Sequence, residues 1–129
     1  MVLVDTSVWV DFFNGEITDQ TEKLDYYLSS TVIVVGDLIL AEVLQGFRSD
    51  KDYRIAKSLL TELEQVWLCN TDLAIQSAQN YHTLRKQGIT IRKTIDCLIA
   101  TYCVETKTPL LFSDRDFDPW VTHLELMAA

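Results

Sequence analysis

An α/β sandwich built on a largely parallel sheet is the fold class this sequence predicts, and three features predict it. Short apolar runs of strand type alternate along the chain with longer segments whose apolar residues recur at helical spacing, the pattern of strand–helix–strand units. One run, Thr31-Val32-Ile33-Val34-Val35, is β-branched throughout with no polar alternation, as in a strand covered on both faces. The 129 residues fit a single domain over 1–129, long enough to bury roughly two-thirds of the surface its unfolded form exposes. No internal repeat, low-complexity tract or Pro/Gly/Ser-rich linker divides it.

In chain order, Met1 to Val4 is a first short strand, and Asp5-Thr6-Ser7 supplies capping residues for a helix carrying Val8, Trp9, Phe12 and Phe13. Asn14-Gly15 breaks that helix, and the spacing from Thr21 to Leu28 suits a second. After the Thr31–Val35 strand and Gly36-Asp37, the positions Leu38, Ile39, Leu40, Val43, Leu44 and Phe47 are spaced as one helix face. Further helices fit Tyr53 to Leu63 and Leu73 to Gln87, with Val66-Trp67-Leu68 as a third strand between them and Gly88 ending the longer helix. Lys93 to Glu105 reads as an apolar helix, Pro109 to Phe112 as a strand and Leu124 to Leu126 as a weaker terminal strand.

Composition narrows the class of protein. The longest apolar stretches fall far short of the roughly 20 residues that cross a bilayer, and the N-terminus carries neither a basic leader nor a small-residue cleavage site, so a cytoplasmic protein with no membrane association is expected. Cys69, Cys97 and Cys103 have no CxxC spacing and read as small buried apolar residues; His82 and His123 have no ligand-type neighbours and read as packing or surface residues. A formal net charge of −8 opposes binding to a polyanion unless bound cations or a basic partner offset it.

The acids supply the chemistry. Asp5 and Asp114 stand at the carboxyl ends of predicted strands, the edge of a parallel sheet where ligand sites form. Taken singly, Asp5 reads as a helix N-cap and Asp114 equally as a turn residue. Glu42 and Asp96 lie on mostly apolar helices, where an ionised carboxylate either turns to solvent or needs a partner. If all four meet at one rim of the sheet, they form a pocket for a hard divalent cation such as Mg2+ or Mn2+, which prefers oxygen ligands and keeps open positions. Asp116 extends the group and Ser113 is suited to orient water or ligand, with Ser7 as a second accessory residue. Asp118, before Pro119, reads as turn chemistry, and Asp37 as a helix cap.

Four ordered segments carry a resemblance over nearly the whole chain: Val4-Asp5-Thr6-Ser7-Val8-Trp9, Ala41-Glu42-Val43-Leu44-Gln45-Gly46, Ile91 to Ala100 around Asp96, and Leu110-Leu111-Phe112-Ser113-Asp114-Arg115-Asp116-Phe117. In these the sequence resembles the PIN domain family, specifically the VapC toxins of bacterial VapBC toxin–antitoxin pairs. The resemblance implies a PIN-like three-layer sandwich with a central, mainly parallel five-stranded sheet between helices. It implies metal-binding and catalytic roles for Asp5, Glu42, Asp96 and Asp114, with Asp116 an accessory metal ligand, in Mg2+- or Mn2+-dependent endonucleolysis of RNA that leaves 5′-phosphate ends. It further implies a cognate VapB-type antitoxin that blocks the acidic site, a homodimer within a larger toxin–antitoxin complex, and promoter DNA bound only indirectly, through the antitoxin. Phe112-Ser113 stands where His-Asn or a similar polar pair is usual, and Thr94-Ile95 where a Thr directly before the Asp is frequent. Those departures bear on how the acids are oriented more than on the acids themselves.

Arg85, Lys86, Arg92 and Lys93 gather around Gly88, just before Asp96, and are candidates for gripping RNA phosphates; solvated helix ends are the alternative. Trp9, Phe12, Phe13 and Phe47 are candidates for core packing or for an aromatic face met by the antitoxin. A haloacid-dehalogenase-like phosphatase, suggested by Asp114-Arg115-Asp116, is disfavoured because that motif belongs near the start of the fold and only 13 residues follow Asp116. A signalling receiver domain is disfavoured because no acceptor Asp closes the third strand. A binding module that docks a basic peptide is the non-enzymatic rival.

Overall fold

The computed structural model describes all 129 residues. The elements follow as β1 (Val2–Val4), α1 (Thr6–Phe13), α2 (Asp19–Ser30), β2 (Ile33–Gly36), α3 (Asp37–Gln45), α4 (Asp50–Glu62), β3 (Glu64–Val66), α5 (Thr71–Lys86), α6 (Thr94–Thr106), β4 (Leu110–Leu111), a 3-10 turn at Arg115–Phe117 and α7 (Asp118–Leu124). The strands form one parallel sheet in the order β3-β2-β1-β4. Helix α1 packs on α2 and α3, α3 also packs on α4, and α5 packs on α6 and α7. This is the predicted α/β class, a parallel sheet flanked by helices. No helix is long and apolar enough to cross a membrane.

Local chemistry fixes the boundaries. Thr18 and Thr21 form a reciprocal capping box, so α2 starts at Asp19 rather than where apolar spacing begins. The Ser49 hydroxyl accepts the Asp52 N–H at 3.3 Å, and this cap starts α4 in a polar stretch that hydrophobic periodicity does not reach. Gly88, at φ +80°, takes the left-handed turn after α5 that a side chain would resist. All of β2 is buried, as its β-branched run predicts.

Three expectations are corrected. The third strand lies at Glu64–Val66 instead of Val66–Leu68. Trp67 projects into solvent at 79% exposure, while Leu68 is fully buried and donates its N–H to Asp37 Oδ1 at 3.0 Å. Leu68 sits so close to Gly36 that a Cβ there would overlap its side chain. Second, the sheet has four strands, not five. After α7 the chain reverses at Glu125, with φ 62°, and meets β4 only through the parallel bridge Leu110–Ala128; a two-residue β4 offers too short an edge for a fifth ladder. Leu124 belongs to α7, not to a terminal strand. Third, Asp118-Pro119 opens a helix instead of a turn: Pro119 sits in the first turn of α7, where its missing N–H costs nothing.

Order β3-β2-β1-β4 means that the chain builds outward from β1 on one side and then returns to its other side. The crevice between the carboxyl ends of β1 and β4 is therefore the topological switch point of the sheet, the place where open α/β sheets bind ligands. Asp5 directly follows β1, and Asp114 follows β4 by three residues.

Candidate metal centre

The first acid of the crevice is held on both sides. The Asp5 N–H donates to the Leu111 carbonyl at 2.9 Å, tying β1 to β4. Its side chain accepts from the Ser7 hydroxyl at 2.8 Å and, at 3.4 Å, from the Ser7 N–H. Asp5 is thus the N-cap of α1, and it is also a carboxyl only 4% exposed. Burial pushes its pKa up, against the Ser7 and backbone hydrogen bonds, and the charge of Glu42 pushes the same way. The cap and ligand readings of Asp5 do not compete, because capping engages one carboxylate oxygen.

Glu42, half-buried on α3, accepts the Thr6 hydroxyl at 2.8 Å, so the residue after Asp5 orients the second acid. Asp96 lies in the first turn of α6. Its pKa is pushed up from the ordinary 3.8 to about 6, first by burial and then by the charge of Asp5, with Asp114 and Glu42 adding to the rise and Lys93 opposing it. Asp114 caps the 3-10 turn, its Oδ1 accepting the Asp116 N–H at 2.9 Å. Carboxylate oxygens of Asp96, Asp114 and Asp116 lie within 4.8 Å of one another. Ser113 stands 3.2 Å, oxygen to oxygen, from Ser7, a contact that joins the loops after β1 and β4.

The predicted acids thus fall into two ranks. Asp96, Asp114 and Asp116 form the tight group; Asp5 and Glu42 stand near enough that their charges add to the burial that raises the pKa of Asp96. The donor set fits a divalent cation. Octahedral Mg2+ holds oxygens at about 2.0–2.1 Å, which puts opposite ligands roughly 4 Å apart, and carboxyls that resist ionisation for lack of a counter-charge are suited to a cation.

Around Asp96 and Asp116 a small cleft of about 80 Å3 is lined by Arg92, Lys93 and Arg115 together with Trp120. The four predicted gripping cations therefore separate. Arg92 and Lys93 line the cleft with the acids, whereas Arg85 and Lys86 are exposed on the last turn of α5 and do not. Sequence reasoning missed Arg115 and Thr6. Arg115 was hidden as one cation in an acidic run, and its place between Asp114 and Asp116 was the available signal; Thr6 was read only as a capping residue. Cys69 also departs from expectation, being exposed, while Cys97 and Cys103 are buried as predicted. His82 and His123 are on the surface. Trp9 is fully buried and stacks on Phe13, with Phe12 and Phe47 edge-on to the group, so these aromatics pack largely on one another. Asp37 is the first residue of α3 and not its cap, which is Gly36; its Oδ1 accepts from the Leu38 N–H at 2.9 Å and ties in the Leu68 N–H after β3.

The PIN domain profile matches residues 2–119. The VapC ribonuclease Mb1587 of Mycobacterium bovis is 30% identical over 134 residues, covering 100% of this chain and 98% of that protein, and Ribonuclease VapC11 of Mycobacterium tuberculosis matches equally. Among solved structures, VapBC2 from Rickettsia felis bound to a DNA fragment from its promoter superposes with a TM-score of 0.78 at 16% identity, covering 100% of this chain and 98% of that one. FitAcB from Neisseria gonorrhoeae gives 0.75 at 14% identity, covering 99% and 96%. The family match spans all the acids described above, and the chain belongs to the PIN domain family, among its VapC-type members.

Proposed function

We infer that the protein is a metal-dependent endoribonuclease acting as the toxin of a toxin–antitoxin pair in the cytoplasm. The observation that carries this reading is the gathering of carboxylate oxygens of Asp96, Asp114 and Asp116 within 4.8 Å of one another, with the charges of Asp5 and Glu42 adding to the burial that pushes the Asp96 pKa up. In this reading Asp5, Glu42, Asp96 and Asp114 hold Mg2+, or Mn2+ in its place, and Asp116 completes the ligand group. The bound cation supplies Lewis acidity to the scissile phosphate and lowers the pKa of water beside it.

The chain's own residues do the positioning. Ser7 fixes one oxygen of Asp5, Thr6 fixes one oxygen of Glu42, and the Asp116 N–H steadies Asp114, so each carboxylate keeps a second oxygen for a ligand. Ser7 and Ser113 offer hydroxyls at the mouth of the crevice to orient water. Arg92, Lys93 and Arg115 offer charge to the RNA phosphates; Arg85 and Lys86, on the last turn of α5, serve more distant phosphates. Water attacks phosphorus in line, the 3′-oxygen leaves, and the downstream fragment carries the 5′-phosphate.

A VapB-type antitoxin is the proposed partner, its basic side chains satisfying the carboxylates that otherwise repel one another. Structural neighbours that are VapBC complexes bound to DNA support a toxin–antitoxin assembly on promoter DNA; in this reading the antitoxin contacts the DNA and the toxin is a homodimer. The net charge of −8 then suits a basic partner as well as a metal cofactor.

The test is incubation of antitoxin-free protein with a mixed RNA pool in Mg2+ or Mn2+, with mapping of the cleaved ends. Cleavage leaving 5′-phosphates, abolished both by EDTA and by Asp96→Asn, supports the reading. Cleavage that survives either control refutes it.

A further inference from the structure

A second cavity, of about 490 Å3, adjoins the acidic cleft. It lies between α5 and α6, with Ala74, Ala78 and Tyr81 on one side and Thr94, Cys97 and Leu98 on the other. Its volume falls in the range of about 300–1,000 Å3 typical of sites for small organic groups, and its mostly apolar lining with a few polar atoms is also typical. Ile91, Arg92 and Lys93 line both this cavity and the acidic cleft. Lys93 and Asp96 are three residues apart at the start of α6, so one helix end presents a carboxylate to the cleft and Thr94 and Cys97 to the cavity.

We propose that this cavity is a nucleobase subsite: the base next to the scissile phosphate enters it and stacks on Tyr81 while Arg92 and Lys93 clasp the connecting backbone. The proposal rests on the nuclease reading above and adds to it the place where sequence preference arises. Charge decides the occupant. A strand reaching the carboxylates from this side must cross two cations, which attract a polyanion. Tyr81 is partly exposed, and single-stranded RNA is read by unstacked bases laid on such rings.

Cys69 gives a direct readout, because it lines the cavity and is exposed while Cys97 and Cys103 are buried. The experiment measures alkylation of Cys69 by N-ethylmaleimide in full-length Asp96→Asn protein, with a short mixed-sequence single-stranded oligoribonucleotide. At about ten times its dissociation constant the RNA slows alkylation roughly tenfold, since only free protein reacts. Tyr81→Ala weakens RNA binding on the order of tenfold, the loss of one stacked base; Tyr81→Phe restores it, Ala78→Trp weakens it by filling the cavity, and Mn2+ affinity, measured with Asp96 intact, is the same in all three as in the native chain. Unchanged alkylation of RNA-saturated protein overturns the subsite alone, as does native-like RNA binding by Tyr81→Ala. A protein that binds no RNA at all overturns the nuclease reading and the subsite with it.

Discussion

Replacing Asp96 with Asn keeps the shape of the side chain and removes the charge that its neighbours oppose, so Asp96→Asn stabilises the metal-free protein wherever Asp96 would otherwise be ionised. The rise from 3.8 to about 6 corresponds to about 3 kcal/mol for a fully buried group. Asp96 is only half-buried, and solvent screening reduces this to about 1–2 kcal/mol. The folded protein favours the neutral carboxyl, so the contribution from protonation is fully present below pH 3.8 and is lost as the pH rises through about 6. The advantage of the variant is therefore absent below about pH 4, grows between about pH 4 and 6, and is complete above that window. For 129 residues, with an unfolding entropy of about 2.1 cal/mol/K per residue, it raises Tm by about 4–7 °C.

Metal reverses the order. At about 100 times its dissociation constant, Mn2+ stabilises the native chain by about 2.7 kcal/mol, and a variant short of one ligand loses most of that. Thermal melts followed by circular dichroism, in EDTA and in Mn2+ across the pH range, read both effects. A variant that melts below the native chain at about pH 8 in EDTA, or an advantage that persists at about pH 4, refutes the argument that burial and the neighbouring acids disfavour an ionised Asp96 in the absence of metal.

Gly36→Ala destabilises the fold by about 1–3 kcal/mol, because the new Cβ overlaps Leu68, which is fully buried; urea titration shows it as a lower midpoint with an unchanged slope. A thiol reagent added to native protein modifies Cys69 rapidly and the buried Cys97 and Cys103 only on unfolding, and fast modification of all three contradicts the burial pattern. Neutralising Arg92 and Lys93 lowers RNA affinity and flattens its salt dependence by about 1.4 units of slope, whereas neutralising Arg85 and Lys86 changes the slope by less; filter binding across salt concentrations separates the two pairs.

The layering of this fold was legible because its strands are apolar runs and its helices are periodic. The β-branched residues of β2 allow little else, and the strand–helix alternation dictates a parallel sheet. Features set by side-chain caps or by contacts distant in sequence were not legible. No periodicity announces α7, which has seven residues and a proline in its first turn. The exposure of Trp67 follows from Leu68 turning in beneath Gly36, a packing event invisible in a run that reads Val-Trp-Leu. The acids divide in the same way. Asp96 was conspicuous because its helix offers little polar surface, and Asp5 and Asp114 because they follow strands. That Asp116 belongs to the tight group, ahead of Asp5 and Glu42, depends on the 3-10 turn at Arg115–Phe117, which a run of alternating acids does not specify.

The central claim is that carboxylates from the two ends and the middle of the chain form one divalent-cation site, and titration calorimetry with Mn2+ tests it most directly. Native protein is compared with Asp5→Asn, Glu42→Gln, Asp96→Asn and Asp114→Asn, each checked for folding by circular dichroism. The account predicts that every one of the four variants loses at least roughly tenfold in affinity, the scale of effect seen when even supporting residues of metal sites are removed. Native-like Mn2+ binding by Asp5→Asn and Glu42→Gln, with loss confined to Asp96→Asn and Asp114→Asn, would contradict it and leave only a surface cluster of acids.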